Sequence, residues 1–539
     1  MSEKRSVVVS RLGTSETPQG SRESMSTPLN PPAKRELYWI LSALMLGMLL
    51  AALDSTIVST ALPTIVGDLH GSNHLSWVVV AYLLASTVST PLWGKLGDLH
   101  GRKVYFQAAI VMFLAGSILC GFANSIVTLI IFRAIQGLGG GGLMIGAQAV
   151  IADVVPPRER GRYSGLFGAV FGAATVLGPL LGGFIVEYWS WRWIFFVNVP
   201  FGAIALIVTA SALPNAATRV KHVIDYAGIV LLTVSSTILI LFLSLGGSQW
   251  SWVSTKSIGL LVVGLILLVA FWMVEQRSPE PVLAPALFRN RVFASASAIG
   301  FVVGFAMFGA LTFLPLYFQD VHGVSPTNSG LRLLPMMIGL FGASITVGNI
   351  VSKGHRYRPY PIAGTAIMTV GIGLLGTIGV TTSALTTALF MFILGVGIGM
   401  VMQVLITAVQ NAVPMADVGA ATAGATFFRS IGGSFGTAIF GAFFSNEFPV
   451  KVARGLAAIH YTGTVPSLSK LTPSALHLLS PTVLFVILHA LSKSISDVYL
   501  WAIPVGLLAL ALSLTLPEVA LRTGMRPSND EAVIAPLEM

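Results

Sequence analysis

The chain is predicted to be an all-α polytopic membrane protein of fourteen transmembrane helices, two six-helix halves with two further helices inserted between them. Three observations carry this. Between Leu37 and Pro517 about fourteen apolar segments reach the roughly 20 residues a membrane span requires. The turns joining them carry Lys and Arg almost only on alternate sides. A short sequence pattern from the first part of the chain recurs in the second. Composition agrees: 54% of residues are hydrophobic and 10% charged, and the mean hydropathy of +0.83 exceeds what a soluble core needs.

Residues 1–36 are rich in Ser, Thr, Pro and charge and hold no apolar stretch, so they read as a disordered tail rather than a signal peptide. The first half, 37–213, contains spans at 38–66, 76–96, 104–123, 126–152, 163–188 and 193–213. The insertion, 214–290, contains spans at 224–246 and 257–275. The second half, 291–518, contains spans at 292–319, 328–352, 361–381, 384–412, 419–445 and 498–517, with a tail at 519–539. Residues 446–497 read as an external loop with an interfacial piece, because their apolar run Thr482 to Leu491 is short for a span; a fifteenth span there would move the C-terminus outside.

The halves are assigned from the repeat. Leu62, Pro63, Asp68, His70 and Gly71 match Leu314, Pro315, Asp320, His322 and Gly323 at an offset of 252, and Gly94 and Arg102 match Gly348 and Arg356 at 254. Both copies close spans of the same orientation, as in carriers that bind cargo between parallel repeats. Arg102, Arg158, Arg219, Arg289 and Arg356 lie in turns after even-numbered spans, whereas the opposing short turns hold only Arg192 and Lys256. Positive residues stay in the cytoplasm, so both termini are expected there.

The net charge of +10 comes from these short turns, not from one basic face or tail, so nucleic acid is not an expected partner. The single cysteine, Cys120, excludes an internal disulfide framework and a multi-cysteine metal site, and reads as a small buried apolar residue. Neither metal nor cofactor is expected. Gly137 to Gly142 satisfies a dinucleotide-loop pattern, but no strand precedes it and it lies inside an apolar run. Gly432 to Gly436 satisfies a hydrolase pattern with no strand-to-helix turn. No phosphate loop ends in Lys followed by Ser or Thr, so ATP is not the direct energy source.

Against this apolar background the ionisable residues at membrane depth stand out, since each costs at least about 2.5 to 3.5 kcal/mol at a helix centre. Asp54 in span 1 and Arg133 in span 4 lie at similar depth. Burial favours the neutral form of a carboxylic acid, so Asp54 is suited to take up a proton on one side and release it on the other, with Arg133 opposing protonation. Gln136, Gly137, Gly140, Gly141, Met144 and Gln148 follow Arg133 at helical spacing, a stripe that serves close packing or a water-lined cavity. Arg332 and Arg429 lie in or near membrane-depth runs, either as structural residues, the preferred reading, or as contacts to cargo.

Several motifs resemble the major facilitator superfamily, and specifically its fourteen-helix drug/proton antiporter branch of the QacA/EmrB type. They are Leu53 to Val58 with Leu62-Pro63, Gly94 to Lys103, Arg133 to Gly137, Gly178 to Gly183, and Trp191 to Phe195 with Asn198-Val199-Pro200. The resemblance covers residues 37–518. It implies the major facilitator fold and a proton-coupling role for Asp54, with Arg133 as coupling or substrate residue. It further implies a conformational latch of Gly94, Asp98, Gly101, Arg102, Lys103 and Asp153, in which Asp98 meets a helix N-terminus of the other half while Arg102 pairs with Asp153. Leu99 departs from the pattern, standing where many members carry a basic residue. Gly178, Pro179, Gly182 and Gly183 match the span-5 motif of antiporters; the bend at Pro179 follows from its missing N–H, the direction of transport from the resemblance.

The expected function is a proton-coupled efflux antiporter exporting lipophilic or cationic small molecules by alternating access, not an enzyme. A dedicated exporter of an endogenous lipid or secondary metabolite is the alternative. Gln136, Met144, Phe167, Phe171, Phe305 and Phe308 are candidates to line the substrate cavity, although helix packing explains the aromatic residues as well. Expected partners are protons, small lipophilic substrates and the bilayer of the plasma membrane, with the protein acting as a monomer.

Overall fold

The computed structural model describes residues 34–69, 75–155, 170, 173–174, 177–178, 180–213, 225–246, 250–279, 281–353, 356–414, 417–461 and 480–521. Its elements are α1 (Lys34–Asp68), α2 (Leu75–His100), α3 (Arg102–Gly121), α4 (Ile126–Val154), α5 (Trp193–Phe196), α6 (Asn198–Ala212), α7 (Tyr226–Leu245), α8 (Thr255–Glu275), α9 (Pro285–Arg289), α10 (Arg291–Leu316), α11 (Pro326–Arg332), α12 (Leu334–Ser352), α13 (Pro359–Leu375), α14 (Ala384–Ala412), α15 (Val418–Ala458) and α16 (Pro481–Ser513). Residues 180–188 are helical too. Among the described residues eleven helices are long and apolar enough to cross a membrane. With α13, α15 and the helical stretch ending at 188, the molecule is an all-helical assembly of about fourteen long helices, as the hydropathy pattern predicts.

Local chemistry sets the helix starts. Ser125 and Thr128 form a reciprocal capping box at α4. Ser254, Asn290 and Ser383 cap α8, α10 and α14 by accepting backbone N–H groups left free in the first turn. Gly101, at φ 100°, separates α2 from α3 in a conformation that a side chain disfavours.

Packing gathers α1 to α6 on one side, where α4 lies between α2 and α3 and α1 lies against α6. The second side pairs α10 with α15, sets α14 between α12 and α13, and rests α16 on α13. Helices α7 and α8 form a pair, with α7 reaching α2 and α15, and α15 also touches α2 and α4. Small residues allow the approach of α4: a methyl at Gly137 would strike the Tyr82 carbonyl, and one at Gly139 the Phe113 amide. Ile258, Val262, Ile266 and Val269 of α8 are exposed, an arrangement suited to lipid rather than water.

Two expectations are corrected. Lys34 already opens α1, so the tail boundary at 36 falls inside a helix. Among the described residues of the expected external loop 446–497, most are helical: α15 runs on to Ala458, and α16 starts at Pro481, taking in the apolar run Thr482 to Leu491. At 41 residues α15 is about 60 Å long, twice the hydrocarbon thickness of about 30 Å, so its far end projects beyond the membrane. There Lys451 meets Asp497 at 2.7 Å and Glu447 at 3.2 Å, and Lys493 meets Asp497 at 3.1 Å. Val452 and Leu456 pack on Val483, Ile487 and Ala490 beneath these pairs. Hydropathy reads the charges as loop because it does not see that they neutralise one another across two helices.

Candidate functional site

Asp54 stands in the middle of α1 with 0% exposure, and five elements converge on it. Arg133 Nη1 of α4 lies 2.5 Å from Asp54 Oδ2. Gln136 Nε2, one turn along α4, donates to Asp54 Oδ1 at 2.8 Å, and its Oε1 accepts from Arg133 Nη1 at 2.8 Å. Asn198 Nδ2 from the start of α6 donates to Asp54 Oδ1 at 3.1 Å and to Ser117 Oγ of α3 at 3.0 Å. Ser117 in turn donates to the Phe195 carbonyl at 2.8 Å. The guanidinium lies 4.2 Å from the centre of the Tyr82 ring of α2, and its Nε donates to the Val78 carbonyl at 3.4 Å.

All three side chains touching the carboxylate are donors, so the arrangement matches an ionised Asp54 whose charge is neutralised by Arg133. A buried pair of this kind survives only when its remaining lone pairs and protons are also satisfied, which Gln136 and Asn198 achieve. Every member belongs to the first half. Asp54 Oδ1 accepts two of these bonds and Oδ2 one.

The second site lies at the end of α2. Asp98 accepts the backbone N–H of Ala420, in the first turn of α15, at 2.7 Å. This is a carboxylate on a helix N-terminus, where the macrodipole favours negative charge. Arg102 Nη2 lies 2.8 Å from Asp98 Oδ1, and Arg102 Nε meets Asp153 Oδ2 at the end of α4. Gly94 lets the helices touch, since a methyl there would lie 2.6 Å from Ala423 Cβ and 2.9 Å from the Gly419 carbonyl. Lys103 differs from its expected part in the latch: its Nζ donates to the Ala210 carbonyl at 2.7 Å, holding α3 to α6 within the first half.

The remaining candidates lie in several parts of the bundle. Met144 packs against both hydrophobic clusters of the first half. Phe305 lies on the α10 and α15 seam, its ring 5.3 Å from Phe440. Gly178 is pressed against α1, where a methyl would collide with Thr56, while Gly182 is buried and Gly183 half-buried. Phe167, Phe171 and Pro179 lie outside the described residues, as does the Phe308 side chain. Sequence reasoning missed Ser117 and Tyr82 and noted Asn198 only as part of a motif. Polar residues inside apolar spans were the available signal, but spacing along one helix does not say which other helix they face.

A helical bundle in two parts, with a buried ion pair inside one and a charged contact joining both at one end, defines a polytopic membrane carrier. The profile of the Major Facilitator Superfamily matches residues 44–437. The chain is 42% identical over 410 residues to the Multidrug transporter protein MdtP of Bacillus subtilis, covering 76% of this chain and 75% of the relative. It is 36% identical over 482 residues to Multidrug resistance protein 3 of the same organism, covering 88% and 94%. The fold is similar to that of the proton:xylose symporter XylE, with a TM-score of 0.57 at 16% identity over 90% of this chain and 96% of that one. The chain belongs to the Major Facilitator Superfamily, and it is a multi-pass membrane transporter.

Proposed function

We propose that this transporter is a proton-coupled efflux antiporter of the fourteen-helix drug/proton branch, exporting lipophilic or cationic small molecules from the cytoplasm. The observation that carries the reading is Asp54, a carboxylate at 0% exposure held by Arg133, Gln136 and Asn198. The end bearing Asp98, Arg102 and Asp153 is assigned to the cytoplasm, because the basic turns gather there. In the arrangement described, that end is closed by the contact of Asp98 with α15, so opening inward requires the contact to break. A proton reaching Asp54 from outside competes with Arg133 for the carboxylate and frees α4 to move, and cargo release and proton loss then reset the pair. Inward proton flow supplies about 2.3 kcal/mol per charge per 100 mV, sufficient for roughly fiftyfold accumulation per proton. The names of the two Bacillus relatives support efflux of drug-like compounds as the class of cargo.

The test is substrate-driven proton movement in proteoliposomes containing the wild-type protein or Asp54→Asn. Loss of coupling in the variant, with intact folding, is expected. A variant that couples transport to the pH gradient as well as the wild type would reject Asp54 as the proton site.

A further inference from the structure

We propose that Arg429 is the binding site for an acidic group on the cargo, so that lipophilic carboxylates are among the compounds carried. This rests on the transport reading above and moves its substrate class from cations toward acids. Arg429 lies eleven positions beyond the start of α15 at Val418, about 16 Å at 1.5 Å per residue, which is near the middle of a hydrocarbon layer of about 30 Å. Its side chain sits between three helices of the second half. Its backbone packs on Gly304 of α10, and its Nη1 lies 3.9 Å from the Met402 sulfur of α14. A thioether is a weak acceptor for a group with five strong donors.

The contrast with Arg133 decides the argument. Arg133 has a carboxylate, an amide oxygen, a carbonyl and an aromatic face. Arg429 has no carboxylate partner among the described residues. The repeat offset of 252 brings position 54 onto 306, and Ala306 stands there. Described acids of the second half are elsewhere: Asp320, Asp417 and Glu518 lie at or just beyond helix ends, and Asp497 and Glu447 are engaged with Lys451. Two buried hydroxyls on α15 and α10 also lack partners among the described residues. Thr426 lies one turn before Arg429 on α15, Ser297 lies two turns before Gly304 on α10, and their exposures are 7% and 4%. Neither hydroxyl oxygen has a hydrogen-bond partner among the described residues. A guanidinium together with unpartnered hydroxyls on the same two helices offers donors suited to a carboxylate, and α15 is the helix that also touches α2 and α4 of the other half. An acid bound there would engage the same helix that Asp98 holds closed.

The experiment uses two fluorescent probes with one apolar body, 1-pyrenebutyrate and 1-pyrenebutyl-trimethylammonium. Binding to the purified full-length protein is read by fluorescence anisotropy, and movement by pH-gradient-driven flux in proteoliposomes, for wild type, Arg429→Gln, Arg429→Lys and Asp54→Asn. Pyrenebutyrate binding is expected to weaken at least tenfold in Arg429→Gln, with partial recovery in Arg429→Lys and an unchanged ammonium probe. Equal binding of pyrenebutyrate by wild type and Arg429→Gln would overturn the proposal. So would a parallel loss of both probes in Arg429→Gln and Arg429→Lys alike, which marks a structural residue. If pyrenebutyrate binds through Arg429 but no pH gradient drives it, the proton-coupled reading fails and this site stands. If the ammonium probe is driven through Asp54 and pyrenebutyrate is not bound, this site fails and the coupled reading stands.

Discussion

The Asp98 carboxylate accepts the Ala420 backbone N–H at 2.7 Å, joining residues 322 positions apart in sequence. One oxygen of one side chain thus links α2 of the first half to the N-terminus of α15 in the second. The same side chain lies 2.8 Å from Arg102, so the contact is backed by a cation of its own half.

Asp98→Asn keeps the shape but removes the charge from the helix N-terminus. Hydrogen bonds to charged groups contribute about 1.5 to 3 kcal/mol, so the closed form should lose roughly ten- to a hundredfold in population relative to the inward-open one. Spin-label distances between the cytoplasmic ends of α2 and α15 would lengthen in the variant. An unchanged distance distribution would show that the contact does not hold the two halves together.

Arg133→Gln leaves the Asp54 charge buried without its cation, and removing one member of a buried pair costs about 3 to 5 kcal/mol. The double variant Asp54→Asn with Arg133→Gln removes both charges and should recover most of that loss. Melting temperatures of the wild type, the two single variants and the double variant in detergent complete the cycle. Additive losses would mean that the pair is not energetically coupled.

Gly137→Ala drives a methyl into the Tyr82 carbonyl, a backbone atom that cannot swing aside. Overpacking of this kind costs about 1 to 3 kcal/mol, and α2 must separate from α4, which carries Arg133 and Gln136. Lower melting temperature together with reduced transport is the expected result. A variant with wild-type stability and flux would show that the seam is looser than the geometry requires.

His322 lies just beyond α10, its ring 4.9 Å from that of Tyr317. Burial, and then the charge of Arg332, hold its imidazole below the ordinary value of 6.5. The folded chain therefore binds fewer protons here than the unfolded chain. The stabilisation is complete above about pH 6.5 and is lost as pH falls toward the lowered folded value. His322→Gln should show a smaller drop in melting temperature between pH 7 and pH 5 than the wild type. An equal drop would assign the acid sensitivity to other groups.

Much of this molecule is decided by sequence alone. Span number follows from run length, because lipid offers backbone groups no partner and leaves a helix as the available solution for each apolar run. That Asp54 and Arg133 must find partners inside the bundle is legible for a related reason, since an unpaired charge in hydrocarbon is costly. Tertiary structure decided the partners. That Asn198 and Ser117 complete the Asp54 cluster, that Lys103 turns to Ala210 within its own half, and that Arg429 lacks the carboxylate Arg133 has, all depend on which helix faces which. Hydropathy is a property of one segment at a time, whereas an ion pair or a charged ladder such as Lys451 with Asp497 is a property of two. Local rules therefore give about fourteen long helices but mistake two helix ends for a loop, because only packing reveals that their charges cancel.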